Sequence, residues 1–250
     1  MPIKAKPESS SLATEAYSVI RDRIMRGEVA IGQVISRRKV AAELGMSFLP
    51  VSEAFLRLEF EGLLESRPRA GTRVRIPNQD DVFGQYVVRE GLEVQAAKLF
   101  AEKSTLEERT ELQKLAARID SLSAQPEADR SVYVNLHEKL HHKIAEYARC
   151  PALSLAMEKT CALSSIWFCI DRFYQASSTG RRHQELMEAL CTGDPEVAVQ
   201  AMRSHILTSR DRMLQALEPY FRLNAEQGQT YSRGGRKRPL AEAVAEALDA

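Results

Sequence analysis

The sequence has 250 residues, of which 44% are hydrophobic and 28% are charged, and its formal net charge is +1. These proportions are typical of a soluble globular chain with one large domain or two ordinary ones. No run of about 18 apolar residues occurs, which excludes a membrane-spanning helix. The polar N-terminus lacks the apolar core of a signal peptide, so we expect a cytoplasmic protein.

The charge is distributed unevenly along the chain. Residues 1–78 contain 13 Lys and Arg against 9 Asp and Glu, a net +4, so the remainder contains 22 against 25, a net −3. A basic front part followed by a slightly acidic remainder is typical of an N-terminal module that contacts phosphates.

The four cysteines show no CxxC pairing, and we expect them to be buried free thiols in a reducing compartment. They are Cys150, Cys161, Cys169 and Cys191. Zinc ligation by Cys150 and Cys161 is an alternative.

Three short helices are predicted first. Apolar residues recur at helical spacing from Leu12 to Ile24. A second helix has Ser36 as its N-cap and ends at Gly45, and a third follows the N-cap Ser47.

A short hairpin follows this third helix. Residues 64–67 and 72–76 are predicted as strands on either side of a turn. Val74 and Ile76 alternate with arginines, which is the period of a strand with one buried face. Helix, helix, turn, helix and a basic hairpin together predict a winged helix-turn-helix.

Beyond a hinge at 77–80 only helices are predicted, so the expected fold is mainly α. The six helices lie at 80–103, 106–123, 131–149, 152–175, 179–191 and 195–219. A polar tail follows, with a possible short helix after Pro239. The predicted parts are a disordered tail at 1–10, a DNA-binding domain at 11–77, an all-helical ligand- and metal-binding domain at 78–222 and a flexible basic tail at 223–250.

With these elements in place, the chain resembles the GntR family of bacterial transcription regulators. The likeness is to the FadR-like branch with a helical FCD domain, in its shorter, VanR-like version with six sensor helices. It depends on VAAELGMSFLPVSEAFLRLEFEGLLESRPRAGTRV in the front part and on VVREGLE, LHHKIAEYARCPAL and RRHQELMEALCTGDPEVAVQAMRSH behind it. The resemblance implies a homodimer that binds palindromic operator DNA. Most members of the family are repressors, so a repressor is expected here.

The expected DNA contacts lie on the second helix, the recognition helix and the hairpin. They are Arg37, Arg38, Lys39, Ser47, Phe48, Ser52, Arg67, Arg69 and Arg73. The family usually has arginines where this chain has Phe48 and Ser52, whereas Arg38 matches the family. We therefore expect weaker dependence on guanine and more reliance on phosphates and DNA shape. Two alternatives are a merely solvated basic face at 37–39 and a buried or dimer-contact role for Phe48.

Histidines point to a metal site in the second domain. His137 and His141 are four residues apart, so on a helix they share one face. The resemblance adds His183 and His205 at the two remaining metal positions and places His137 where the family usually has aspartate. Four imidazoles favour zinc, with nickel or copper as other choices. His142 faces elsewhere and is predicted to be a spectator.

The resemblance also indicates a ligand. Arg89 matches an arginine that often faces the ligand cavity, where a guanidinium can clamp a carboxylate. An Arg89–Glu93 ion pair at i, i+4 is the alternative. The expected effector is a small organic acid or sugar acid. Competing hypotheses are a regulator whose histidines bind the effector without metal, and a metal-dependent enzyme, for which no positioned general base is evident.

Overall fold

The computed structural model describes residues 11–67, 70–125, 130–158, 160 and 180–230. The chain divides into two compact units, with the boundary between Arg75 and Ile76. Predictions about the tail 1–10, Arg69, Cys161, Cys169 and residues 231–250 lie outside the described residues. No helix in the described part is long and apolar enough to cross a bilayer.

The first unit contains the predicted three helices. They are α1 (Leu12–Met25), α2 (Arg37–Leu44) and α3 (Phe48–Phe60). The Ser36 hydroxyl accepts a hydrogen bond from the Lys39 N–H at 3.3 Å and so begins α2. Gly45 ends it in the left-handed region, at φ 63°, which a residue without Cβ adopts at no steric cost. Ser47 is the N-cap of α3, although its side chain makes no capping hydrogen bond.

A small antiparallel sheet completes this unit. Its strands are β1 (Val34–Ile35), β2 (Leu64–Arg67) and β3 (Gly71–Val74), in the order β1-β3-β2. The hairpin was predicted, but β1 was not, because two residues are too few for an alternating pattern. The buried core comprises residues of α1, α3 and the sheet, including Ala16, Ile20, Val51, Phe55, Leu58, Leu64 and Val74.

The second unit is helical throughout its described residues. Its helices are α4 (Gln79–Lys103), α5 (Leu106–Ser123), α6 (Arg130–Tyr147), α7 (151–158), α8 (Arg182–Leu190) and α9 (Pro195–Thr230). Helix α4 packs along α9 and against α6, and α5 packs against α6 and α8. These contacts surround a core that includes Tyr86, Phe100, Leu112, Leu140, Met187 and Ile206. The mainly α fold with a small sheet is thus confirmed.

Several predicted boundaries are wrong. Strand β3 ends at Val74 rather than at residue 76, and α8 begins at Arg182 rather than at 179. The hinge at 77–80 is shorter than predicted, because the Asn78 side chain and the Asp81 carboxylate form a reciprocal capping box that starts α4 at Gln79. Helix α9 does not end at Pro219 but continues to Thr230. A proline inside a helix costs about 3 kcal/mol. Burial of Leu217 and Tyr220 on either side of it offsets that cost.

Candidate functional site

The recognition helix α3 has one buried face and an exposed first turn. Val51 and Phe55 are fully buried in the unit core. At the start of the helix, the side chains of Phe48 and Leu49 are 53% and 66% exposed. Ser52 is half-buried and follows one turn later. The exposed side chains of the first turn of α3 are therefore two apolar ones, and Phe48 is not buried within its own unit.

The three basic residues at the start of α2 differ in their surroundings. Arg37 donates to Glu59 Oε1 at 2.6 Å, and its guanidinium lies 5.2 Å from the centre of the Phe55 ring. These contacts tie α2 to α3. Arg38 is exposed, and so is Lys39, which lies 3.9 Å from Glu43. Arg38 and Lys39 are therefore the residues of this group whose side chains are exposed to solvent.

The arginines of the hairpin share one carboxylate. Glu65 on β2 pairs with Arg73 on β3 and lies 3.2 Å from an Arg67 nitrogen. Their charge is thus partly neutralised within the hairpin. The hydroxyl of Ser66 lies 2.7 Å from that of Thr72, so the two strands are also joined by side chains.

Four predicted metal ligands converge in the second unit. His137 and His141 lie one turn apart on α6, with ring centres 4.5 Å apart. His183, at the start of α8, has its ring centre 5.2 Å from those of both His137 and His205. The His205 ring, on α9, is 5.4 Å from that of His141. Three of the rings are buried and His205 is half-buried.

Three of these imidazoles form a group that fits one metal ion. One ring nitrogen each of His137, His183 and His205 lies within 4.8 Å of the others. Ligands at about 2.0 Å from a tetrahedral zinc ion are about 3.3 Å apart, so small ring rotations close the group. His141 lies beside the group and is available as a fourth imidazole.

The carboxylate of Asp120 orients the His183 ring through its Nδ1 atom. His183 Nδ1 lies 2.6 Å from Asp120 Oδ1, and Asp120 also accepts from the backbone N–H groups of His183 and Gln184. Burial alone would raise the pKa of Asp120, but these hydrogen bonds outweigh it and lower the pKa. An ionised carboxylate only accepts, so Nδ1 carries the proton. The other nitrogen, Nε2, is buried and has no hydrogen-bond partner.

His141 has a similar arrangement. Its Nδ1 lies 2.5 Å from Glu93 Oε2, and Glu93 Oε1 accepts from Arg89 at 2.6 Å. Burial would raise the pKa of Glu93, but its contacts with Arg89 and His141 hold that pKa well below its usual value. His141 Nε2 is also buried without a hydrogen-bond partner, and the contact of Nδ1 with Glu93 is an ion-pair distance without hydrogen-bond geometry.

His137, His183 and His205 are in the neutral form that binds metal. Burial, together with the neighbouring His141 and His183, holds the pKa of His137 well below its usual value. Burial also lowers the pKa of His205 and, against the effect of Asp120, that of His183. Neutral imidazoles backed by carboxylates are the arrangement found around zinc. A buried nitrogen without a partner costs about 1–3 kcal/mol, which coordination would recover.

A pocket that is partly open to solvent adjoins the histidines. It is lined by Tyr133, His137, Arg182, His183, His205, Ser209, Arg212 and Met213. Arg89 is not among these residues; it forms the buried ion pair with Glu93 that was the alternative to ligand binding. A direct contact between Arg89 and an effector therefore stays a prediction.

Other polar residues lie outside the described histidine group. His142 is half-buried beside His141 and belongs to no such group. Cys150 and Cys191 are free thiols, and both are half-buried rather than fully buried.

Several site residues were missed in the sequence. Ser209 and Arg212 follow His205 at i+4 and i+7, a helical spacing that could have indicated a shared face. Asp120 gave no such signal, because it precedes its partner His183 by 63 residues and meets it only through the packing of α5 against α8.

Comparisons with known proteins agree with the fold. Residues 12–74 match the sequence model of the gntR family of bacterial regulatory proteins, and residues 85–208 match that of the FCD domain. Two solved structures share the fold over 83% of this chain and 99% of their own: McbR/YncC of Escherichia coli, with a TM-score of 0.70, and a regulator described as GntR from Rhodococcus sp. RHA1, with 0.69. Each is 21% identical in sequence.

Two curated relatives are named as repressors. A "probable D-xylose utilization operon transcriptional repressor" of Paenarthrobacter nicotinovorans is 27% identical over 205 residues, which are 79% of this chain and 86% of that protein. The repressor RspR of Escherichia coli K12 is 23% identical over 200 residues, 77% and 84% of the two chains. The family consists of transcription regulators and not of enzymes. The chain is therefore a member of the GntR family of bacterial regulatory proteins, with an FCD domain behind its winged helix.

Proposed function

We propose that the protein is a metal-dependent, effector-controlled regulator, most simply a repressor, whose operator affinity depends on a small anionic ligand in the histidine-lined pocket. The observation that carries this proposal is the convergence of His137, His183 and His205, with His141 beside them. Two of these rings have a carboxylate on one nitrogen and a bare, buried nitrogen on the other. The DNA-binding domain is assigned to residues 11–77 and the effector domain to 78–222.

Zinc is the proposed metal, because imidazole nitrogens and a buried, carboxylate-backed site suit it, with nickel or copper as the next choices. His137 and His141 from α6, His183 from α8 and His205 from α9 would hold the ion. A bound ion supplies a positive anchor for a carboxylate. His137, His183 and His205 would bind as neutral imidazoles, so they would not offset the charge of the ion.

On the DNA side, the proposed contacts remain those predicted from the sequence. Arg38, Lys39 and the hairpin arginines are assigned to phosphates, and Phe48 and Ser52 to base edges. Arg37 and Arg73 hold intramolecular ion pairs and need only reorient their remaining N–H groups to contact the backbone. A homodimer in the bacterial cytoplasm is proposed, because one winged helix buries too little DNA for useful affinity.

The proposal is tested by metal analysis of untagged protein. We expect about one zinc per chain in the parent, and loss of that zinc in His141→Ala and His183→Ala, because each variant removes one ligand. His142→Ala is the matched control: it removes a neighbouring half-buried histidine outside the described group, so its zinc content should equal that of the parent.

The same samples are then tested on operator fragments selected from a random DNA library. Chelation of the parent should change the response of DNA affinity to added organic acids, and His142→Ala should behave as the parent. Metal-free parent protein that still responds to acids would contradict the metal site and favour direct binding by histidines.

A further inference from the structure

One wall of the pocket is a single face of α9. His205, Ser209 and Arg212 occupy positions i, i+4 and i+7, and all three line the pocket. Residues at this spacing lie on one side of a helix. The imidazole at one end of the wall and the guanidinium at the other therefore face the same cavity.

His205 and Arg212, at the two ends of this wall, are too far apart for a single carboxylate to contact both. Seven residues of helix rise about 10 Å. Helical side chains lean toward the N-terminus, so Arg212 leans back over Ser209 and shortens the gap to His205 by part of that length. A remaining span of several ångströms corresponds to a ligand whose chain has about four to six bonded atoms, counting the central atoms of its two charged groups.

The described lining is positive and contains no carboxylate. Arg182, directly before His183, adds a second guanidinium, and its charge is one of the influences that lower the pKa of His183 and His205. Ser209 supplies a hydroxyl, which lies 3.1 Å from that of Tyr86. Guanidinium groups bind planar or tetrahedral oxyanions through paired N–H donors.

We propose that the pocket binds a small acid with two anionic groups, one at the histidine cluster and the other clamped by Arg212 and Arg182. The inference rests on the proposed function, since the first group is held by the cluster described there. The second group is a carboxylate or a phosphate ester, because both present the oxygens that a guanidinium fork recognises. Selectivity then comes from Arg212 and Arg182, while the histidine cluster accepts any acid of suitable size.

The test compares matched ligands on zinc-loaded protein by isothermal titration calorimetry. The probes are unbranched dicarboxylates of four to six carbons, each paired with the monocarboxylate of the same length, and phosphoglycerate paired with glycerate. We expect at least one two-charge acid to bind tenfold or more tightly than its one-charge partner, because a charge-assisted contact contributes at least that factor. The dicarboxylate and phosphate pairs separate the two kinds of second group.

Arginine variants locate the second group. Arg212→Gln should abolish the preference for the acid with two charges, and Arg212→Lys should retain part of that preference. Arg222→Gln is the matched control, because Arg222 is exposed on the same helix, pairs with Glu218 and lies outside the pocket lining. The melting temperature and zinc content of each variant exclude misfolding as the cause.

The outcomes separate the two proposals. Equal affinity within every pair, or a preference that survives both Arg212→Gln and Arg182→Gln, overturns the dianion inference while the proposed function stands. Failure of every acid to bind the zinc-loaded parent overturns both.

Discussion

At the scale of single residues, the site depends on two carboxylates that touch no ligand. Asp120 fixes the tautomer of His183. Glu93 contacts Nδ1 of His141 and also accepts a hydrogen bond from Arg89, which neutralises the charge of Glu93. Each carboxylate leaves one ring nitrogen for coordination and makes the imidazole a stronger donor. Arg89 thus acts on the cluster through Glu93, whether or not it also touches an effector.

Replacing Asp120 by Asn tests this arrangement. The amide keeps the shape but loses the charge that favours the Nδ1–H tautomer, so we expect zinc to bind about 10- to 100-fold more weakly. The measurement is competition with a chromophoric chelator. Glu111→Gln is the matched control, because Glu111 lies on the same helix and accepts from Tyr147 outside the cluster. Parental zinc affinity in Asp120→Asn would show that the carboxylate is only structural.

At the scale of elements, local chemistry predicted most boundaries and missed those that depend on packing. Ser36 and Gly45 bracket α2 as their side-chain chemistry requires. Strand β1 escaped detection because only its pairing with β3 defines it. Helix α9 passes Pro219 because buried neighbours hold it. Two histidines on α6 could be paired from their spacing, but the meeting of α5, α6, α8 and α9 at one cluster needed either the family resemblance or the structure.

The exposed first turn of α3 makes a prediction about DNA sequence. A phenyl ring there reads thymine methyl groups rather than guanine edges. In a selected operator, replacing the contacted thymine by deoxyuridine removes only the methyl group and should weaken binding about fourfold, the value of one buried methyl-sized group. In Phe48→Ala that replacement should have no effect, because the contact is already gone.

The control for this experiment lies on the same helix. Phe60, at the far end of α3, is 93% exposed, so Phe60→Ala makes the same chemical change away from the expected base contacts. It should keep the full response to deoxyuridine in fluorescence anisotropy. A parent protein that is indifferent to deoxyuridine at every thymine, or a selected site dominated by guanine contacts, would refute thymine readout.

At the scale of the whole molecule, the two compact units must be energetically coupled if the ligand is to control DNA binding. A ligand changes operator affinity only by its different affinity for the DNA-competent and incompetent states, typically about 1–3 kcal/mol, or 5- to 150-fold. The α4 capping box leaves few residues between β3 and α4, since the strand ends at Val74 and the helix begins at Gln79. A short connection of this kind favours transmission of a change in α4, because a long flexible linker would lose it.

Linkage makes this coupling measurable from both ends. If the best two-charge acid weakens binding of the protein to a selected palindromic site by some factor, saturating palindrome must weaken binding of that acid to the protein by the same factor. We expect agreement between DNA titrations by anisotropy and acid titrations by calorimetry, both at one salt concentration, because phosphate contacts depend strongly on salt. A scrambled DNA of equal length is the control and should leave acid affinity nearly unchanged. Weakening in only one direction cannot arise from a coupled equilibrium, and no change in either would leave the pocket without a regulatory role.

A chain that stays monomeric on the palindrome in light scattering would contradict two-fold recognition, since each half-site would then be bound by a single chain.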